Sequence, residues 1–184
     1  RQYLKEQGVA EEGLADLVNR LLMSTATPIV DEAHDTFYFV RRQGAGLANP
    51  AAAMASQAYI QVEGTNKSKF ELGDDPERTG VYTMDFEVVN FSDGEKTYTL
   101  DTAVLGQKAE GGQIRGGKVT YLVYDYARKL SAAVTSSAAD GRITVPAHAT
   151  AQVSVTVTLS DADRAYMDER FPYGAYVEGF VQLI

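Results

Sequence analysis

Residues 151–159 alternate strictly between apolar and polar side chains, and this pattern constrains the fold more than any other feature of the chain. The apolar positions are Ala151, Val153, Val155, Val157 and Leu159. Successive side chains of a β-strand point to opposite faces, so the pattern predicts a strand with one face in a core and the other in water. Such a face needs a second layer to cover it. The sequence therefore predicts a mainly β protein.

Other segments also have strand character and are separated by turn signals. They comprise residues 58–62, 70–72, 81–88, 96–105, 119–126, 142–146 and 175–184. Several short strands at this spacing indicate a β-sandwich. Only a short turn separates residues 81–88 from residues 96–105, so we expect these two strands to pair as a hairpin. Residues 70–72 are expected to form an edge strand.

A helix is predicted at residues 11–23, because apolar side chains recur there at helical spacing. They are Leu14, Leu17, Val18, Leu21 and Leu22. Thr27-Pro28 ends the helical pattern, since proline disfavours helical geometry in the residue before it. A helix cannot bury such a stripe alone. We expect the stripe to be covered by the sandwich, by a second copy or by a further domain.

The segment of residues 41–50 separates this helical part from the β part. A short strand is expected just before it, at residues 37–40. Gly44 and Gly46 permit backbone angles or close approaches that a Cβ would forbid, so we expect tight turns or close packing there. Asn49-Pro50 fits a helix N-cap with proline in the first helical position, and predicts a short helix at residues 51–55. A further helix is predicted at residues 161–170, where Ser160 supplies the N-cap.

Composition excludes several classes of function. The chain has 184 residues, a net charge of −8 and a pI near 4.8, which opposes binding to a phosphate backbone. It has no cysteine, which excludes disulfides and thiol nucleophiles. No apolar run approaches the roughly 20 residues of a membrane span. We therefore expect no nucleic acid partner and no membrane span, and we predict no cofactor.

Two acidic segments are candidates for metal binding. Residues 31–35 read Asp-Glu-Ala-His-Asp, but they lack the spacing of a calcium loop, so we expect solvated carboxylates. His34 alone makes no catalytic triad. Asp74 and Asp75 leave open a calcium-stabilised module.

Residues 106–117 contain two glycine pairs and are predicted to form a long loop. No Gly-Lys-Ser/Thr pattern opens a helix there, which excludes a phosphate-binding loop. A tyrosine-rich strand follows. Tyrosines of this kind either bind sugars or peptides, or simply pack, and we favour packing. The candidate residues for contact with a substrate or partner are Lys108, Arg115, Tyr121 and Tyr124.

Three segments resemble, in order, parts of large subtilisin-like serine proteases of the bacterial cell envelope, such as the lactocepin-type proteinases and the streptococcal complement-cleaving peptidases. They read Leu-Leu-Met-Ser-Thr-Ala-Thr at residues 21–27, Arg-Gln-Gly-Ala-Gly-Leu at 42–47 and Tyr-Val-Glu-Gly-Phe-Val at 176–181. In that family the first two lie in the tail of the catalytic domain and the third near the end of a fibronectin type III-like domain. The resemblance implies a catalytic-domain tail at residues 1–57 and a fibronectin type III-like antiparallel β-sandwich at residues 58–184.

The family's catalytic motifs do not occur in this sequence. Its nucleophile lies in a Gly-Thr-Ser-Met motif, whereas Ser24, His34 and His148 match none of the catalytic motifs. The resemblance thus implies a non-catalytic, internal fragment of a secreted, cell-wall-associated bacterial endopeptidase. Its implied partners are the catalytic domain of the same protease chain and a protein substrate. An independent glycan- or protein-binding adhesion module stays open as the alternative.

Overall fold

A computed structural model describes residues 2–6 and 12–184. The helices are α1 Gln2–Glu6, α2 Leu14–Ser24, α3 Val40–Gln43, α4 Pro50–Ala55 and α5 Asp161–Arg170. The strands are β1 Val30–Asp31, β2 Thr36–Phe37, β3 Ala58–Val62, β4 Val81–Asn90, β5 Lys96–Arg115, β6 Lys118–Lys129, β7 Ala132–Ser136, β8 Arg142–Val145, β9 Ala149–Leu159 and β10 Val177–Leu183. Residue 11, the predicted start of the first helix, lies outside the described residues.

The strands form two main antiparallel sheets, as the mainly β prediction requires. One sheet has the order β3-β4-β9-β7. The other has the order β10-β5-β6, and β8 pairs with the first residues of β5. The mainly β, antiparallel architecture is confirmed, and a short helical segment precedes it.

The core lies between the sheets. It comprises Phe86, Val88, Leu130, Ile143, Val145, Val153, Val155, Val157 and Leu159, against which side chains of β5 and β10 pack. The inward residues of β9 are thus the apolar set of the alternating pattern. Each fully buried side chain of this kind stabilises the fold by about 1.5–3 kcal/mol.

The predicted hairpin between residues 81–88 and 96–105 is wrong, because β4 and β5 lie in different sheets. Buried Asn90 directs the chain from one sheet to the other. Its amide donates to the carbonyls of Gly94, Val145 and Pro146 at 2.8, 3.1 and 3.0 Å. Its carbonyl oxygen accepts from Ser92. The Asn90 side chain is thus fully hydrogen-bonded at the point where a hairpin would instead have backbone hydrogen bonds between β4 and β5.

The apolar stripe of α2 is covered within the chain, as one of the predicted arrangements requires. Leu14 and Leu21 are buried, and they form a small cluster with Leu4 and Ala53. Tyr59 of β3 packs against the same cluster. Within the described residues, no helix has the length and apolarity needed to cross a membrane.

The predicted tight packing at Gly46 is confirmed. Gly46 has φ +115°, and a Cβ there would lie 2.2 Å from the carbonyl oxygen of Thr27. Thr27 pairs with Leu47 in an isolated bridge, which brings the two backbones together. Gly44 ends α3 with φ +63°. The Asn49 side chain caps α4, as predicted, by accepting from the Ala52 N–H at 3.0 Å.

Two predicted strands are wrong in extent or in kind. Residues 70–72 form no strand, and Phe70 instead covers the core with its ring edge-on to Phe86 at 6.0 Å. The strand predicted at residues 37–40 ends at Phe37, and α3 begins at Val40. Gln43 explains this, because its amide accepts from the Ile29 N–H and donates to the Tyr38 carbonyl, both at 2.6 Å. These two side-chain bonds take the place of the backbone hydrogen bonds that a longer strand would form there.

Candidate partner-contact surface

Residues 106–117 belong to a long β-hairpin, so the predicted loop is wrong. Strand β5 continues to Arg115, and β6 begins at Lys118 after a two-glycine turn. Gly116 and Gly117 have φ +57° and +77°, the signs that a type I′ hairpin turn requires. A glycine pair between two alternating segments was thus the available signal for a hairpin.

Two register shifts in the β5–β6 ladder interrupt the apolar–polar alternation, so the sequence pattern does not indicate the full length of these strands. The register shifts between Glu110 and Gln113, where Gly111 has φ +64°, and again between Gln107 and Ala109. The first resembles a bulge that places glycine in the left-handed region. A bulge changes which face a side chain points to, so a strict period of two fails across it.

Lys108 and Tyr124, two of the predicted contact residues, meet at a third residue that sequence reasoning missed. The Lys108 Nζ lies 2.5 Å from the Glu110 carboxylate, and the Tyr124 hydroxyl donates to the same carboxylate at 3.4 Å. The hydrogen bond and charge of Lys108 lower the pKa of Glu110. Lys108 is therefore a paired cation.

Tyr121 lies in a separate group. Its hydroxyl donates to Glu169 of α5 at 3.0 Å, which raises the pKa of Tyr121. The guanidinium of Arg170 lies 4.5 Å from the centre of its ring. Arg115 stands opposite Lys118 at the end of the ladder, and its side chain lies outside the described part of the chain. The structure thus places the four predicted residues on one hairpin without gathering them into one cluster.

Helix α5 braces this hairpin along one of its faces. Asp163, Tyr166 and Glu169 recur every three residues, which places them on the same side of the helix. The Asp163 carboxylate forms an ion pair with Arg128, and the Tyr166 hydroxyl accepts from the Ala109 N–H at 2.6 Å. The N-cap and the bounds of α5 are as predicted. The brace holds the hairpin in a fixed direction.

The distal part of the hairpin exposes apolar side chains. Ile114 and Leu122 are 79% and 63% exposed, and Val119 and Val123 are about half exposed. Residues 106–129 also contain five basic and two acidic residues, whereas the rest of the chain contains twelve basic and twenty-three acidic residues. The hairpin is therefore a basic, partly apolar element on an acidic protein.

The acidic segment at residues 31–35 connects β1 and β2 and is less solvated than predicted. Asp31 is buried, and its carboxylate lies 2.8 Å from His34 Nδ1. The His34 ring stacks on Tyr126 of the long hairpin at 3.6 Å. Within residues 2–6 and 12–184, no group of three or more histidine or carboxylate side chains is arranged to hold a metal ion.

Asp75 has a local structural role instead of an evident metal-binding one. Its carboxylate accepts from the backbone N–H groups of Thr79 and Gly80 at 3.0 and 2.9 Å. These bonds lower the pKa of Asp75. Asp74 is exposed. The arrangement organises the turn before β4.

The comparison with protein families decides the class of this fold. The model described as "Fn3-like domain" matches residues 70–184. The chain belongs to the Fn3-like domain family. The matched range of this Fn3-like domain contains β4 to β10, α5 and the whole long hairpin.

The curated relatives of this Fn3-like chain are proteins named C5a peptidase. The one from Streptococcus pyogenes is 27% identical over 169 residues, and that of serotype M18 is 26% identical over the same length. The match covers 91% of this chain and 13% of each relative. The resemblance to subtilisin-like proteases is confirmed by these matches.

The residues before the matched range are joined to the Fn3-like domain by several contacts. The Arg41 and Arg42 side chains form ion pairs with Glu178 and Asp125, and Lys129 Nζ lies 3.0 Å from Asp35. Sequence reasoning missed these pairs, because each joins residues more than eighty positions apart. The segment of residues 27–47 therefore lies against the sheet that carries the long hairpin.

Proposed function

We propose that this chain is a non-catalytic accessory module of a secreted, cell-wall-associated subtilisin-like serine endopeptidase. It supports the protease domain and helps to position protein substrates. The proposal assigns residues 1–57 to the tail of the catalytic domain and residues 58–184 to the sandwich. The similarity to peptidases over 91% of the chain supports this, together with the absence of the family's catalytic motifs from the sequence.

One observation carries the proposal: the segment of residues 27–47 binds the sandwich on one side and exposes apolar side chains elsewhere. Leu47 is 68% exposed, and Ile29, Val30 and Tyr38 are each at least 40% exposed. Neighbouring exposed apolar residues are costly unless another surface covers them. The catalytic domain of the same chain is the proposed cover.

Lys108, Arg115, Tyr121 and Tyr124 are the proposed contacts with substrate or partner. Their hairpin is braced by α5, so it would present a fixed surface. A glycan platform fits less well. Arg170 lies over one face of the Tyr121 ring, and the Tyr121 and Tyr124 hydroxyls already donate to carboxylates.

Two experiments test the proposal. The pure chain should not hydrolyse casein, and hydrolysis that survives repeated purification would contradict it. In the full-length protein, Leu47→Glu should lower the Tm of the protease domain by several degrees, since it places a charge in the proposed interface. Thr83→Glu on the outer face of β4 is the matched control and should leave that Tm unchanged. Equal Tm values for both variants would contradict the proposed interface.

A further inference from the structure

The outer edge of β6 carries accessible backbone N–H and C=O groups. One contact of the paired strand β5 shows which residues of β6 point these groups outward. Ala109 and Val123 stand opposite each other in the ladder. The Tyr166 hydroxyl accepts from the Ala109 N–H at 2.6 Å and donates to the Ala109 carbonyl at 3.1 Å. Both backbone groups of Ala109 therefore point away from β6. In an antiparallel ladder, the backbone groups of Val123 must then point away from β5.

Alternation extends this edge along the strand. Tyr121 and Val119 lie two and four residues from Val123, so their N–H and C=O groups face the same way. The Asp125 carbonyl also faces this edge and accepts from Arg42 at 3.2 Å. Within the described residues, no other element hydrogen-bonds to the backbone of residues 119–123. The open edge is thus about 16 Å long.

The opposite edge of the hairpin is closed as far as Ala109. Strand β10 pairs with β5 up to Gly106, and the Tyr166 hydroxyl then bonds to the Gln107 carbonyl and to both backbone groups of Ala109. Along this part of the hairpin, an added strand can therefore pair only with β6. Open strand edges of this kind bind extended peptides through main-chain hydrogen bonds.

Charge indicates the chemistry of the added strand. The hairpin carries a net charge of +3, whereas the rest of the chain carries −11. Lys108, Arg128 and Lys129 pair with carboxylates, so this charge acts on a partner chiefly at the tip of the hairpin. Lys118 is exposed at one end of the open edge, and Arg115 stands opposite it in the ladder. Leu122 and Val123 supply exposed apolar contacts to a neighbouring strand.

We propose that the edge of β6 at residues 119–123 binds an extended, acidic segment of a partner protein as an added β-strand. A second copy of the chain is disfavoured, because pairing two β6 edges would bring together two hairpins that each carry a net charge of +3. The inference does not require the proposed contact between residues 27–47 and a protease domain.

The test uses a fluorescein-labelled octapeptide of alternating valine and glutamate, titrated with the chain and followed by anisotropy. Binding is expected, and it should weaken as salt rises. Two control peptides should fail to bind. One replaces glutamate with lysine, and the other is N-methylated at every residue and cannot donate main-chain hydrogen bonds.

Val123→Pro removes the outward N–H and should weaken binding at least about tenfold. A proline is tolerated on an edge strand when its N–H position faces solvent. Val123→Thr keeps the N–H and is the matched control, with less than about threefold change expected. Circular dichroism and thermal melting confirm that both variants fold.

Failure of the valine–glutamate peptide to bind would overturn the proposal, as would equal binding by the Pro and Thr variants. The N-methylated peptide tests the main-chain bonds without altering the protein, and its binding would also overturn the proposal. Sedimentation detects self-pairing. A dimer that Val123→Pro dissociates and that excess peptide leaves intact would assign the edge to a second copy instead.

Discussion

Asp163 at the start of α5 forms a buried ion pair with Arg128 near the end of β6. The Asp163 side chain is only 2% exposed, and it also accepts from the Ser131 N–H at 2.6 Å. The Arg128 guanidinium lies 4.0 Å from the ring centre of Tyr166, the residue that holds Ala109. One carboxylate therefore connects the N-cap of α5, the β6–β7 connection and the base of the long hairpin.

Asp163→Ala should destabilise the protein by about 3 kcal/mol, because it leaves a partly buried guanidinium and a backbone N–H without their partner. Urea unfolding measures the change. Asp161→Ala on the same helix is the control and should cost less than about 0.5 kcal/mol, since its ion pair with Arg164 is exposed. An equal loss of unfolding free energy in the two variants would show that the Asp163–Arg128 pair stabilises the protein no more than the exposed Asp161–Arg164 pair.

Gly46→Ala should cost about 2–4 kcal/mol. The new Cβ would lie 2.2 Å from the Thr27 carbonyl oxygen, and φ at this position is +115°. Gly44→Ala is the matched control, because φ is positive there but no atom lies within 4 Å of the new Cβ, and about 1 kcal/mol is expected. Thermal melting compares the two variants. A Gly46 variant as stable as the Gly44 variant would disprove the close approach of the two backbones.

Tyr166→Phe should loosen the long hairpin without unfolding the sandwich. The change removes the hydroxyl that bonds Ala109, at a cost of about 1–2 kcal/mol. Hydrogen exchange at the Ala109 amide should accelerate about tenfold or more, while exchange at Val155 in the core should keep its rate. Unchanged exchange at Ala109 would refute the brace.

Asp75 should make stability depend on pH in the acidic range. Its pKa is lowered in the folded state by the N–H groups of Gly80 and Thr79. The resulting stabilisation is complete above the unfolded pKa and is lost as pH falls through the lower folded pKa. Asp75→Asn should therefore be less stable than the parent chain at neutral pH, and the difference should shrink at strongly acidic pH. A difference that is constant with pH would contradict this origin.

Local patterns predicted most elements of the fold but not how the strands are arranged. The alternation of β9, the cap of α5 by Ser160 and the cap of α4 by Asn49 depend on neighbouring residues, so the sequence reveals them. The passage of the chain from β4 to the other sheet depends on Asn90 bonding to Val145 and Pro146, which lie more than fifty positions away. Periodicity carries no information about such distant partners.

The candidate surface was predicted only in part, for a related reason. Composition singled out Lys108, Arg115, Tyr121 and Tyr124. Their partners Glu110, Glu169 and Arg170 depend on the bulges and on the position of α5. Strand β7 was missed altogether, since three of its five residues are Ala or Ser. Such residues give a weak strand signal, and pairing with β9 determines their conformation.

The proposed function requires residues 27–47 to contact a protease domain in a longer chain. Hydrogen exchange followed by mass spectrometry detects this contact when the isolated chain is compared with the full-length protein. We expect slower exchange across residues 27–47 in the full-length protein and unchanged exchange in β9. Equal exchange of residues 27–47 in both proteins would show that no such contact forms.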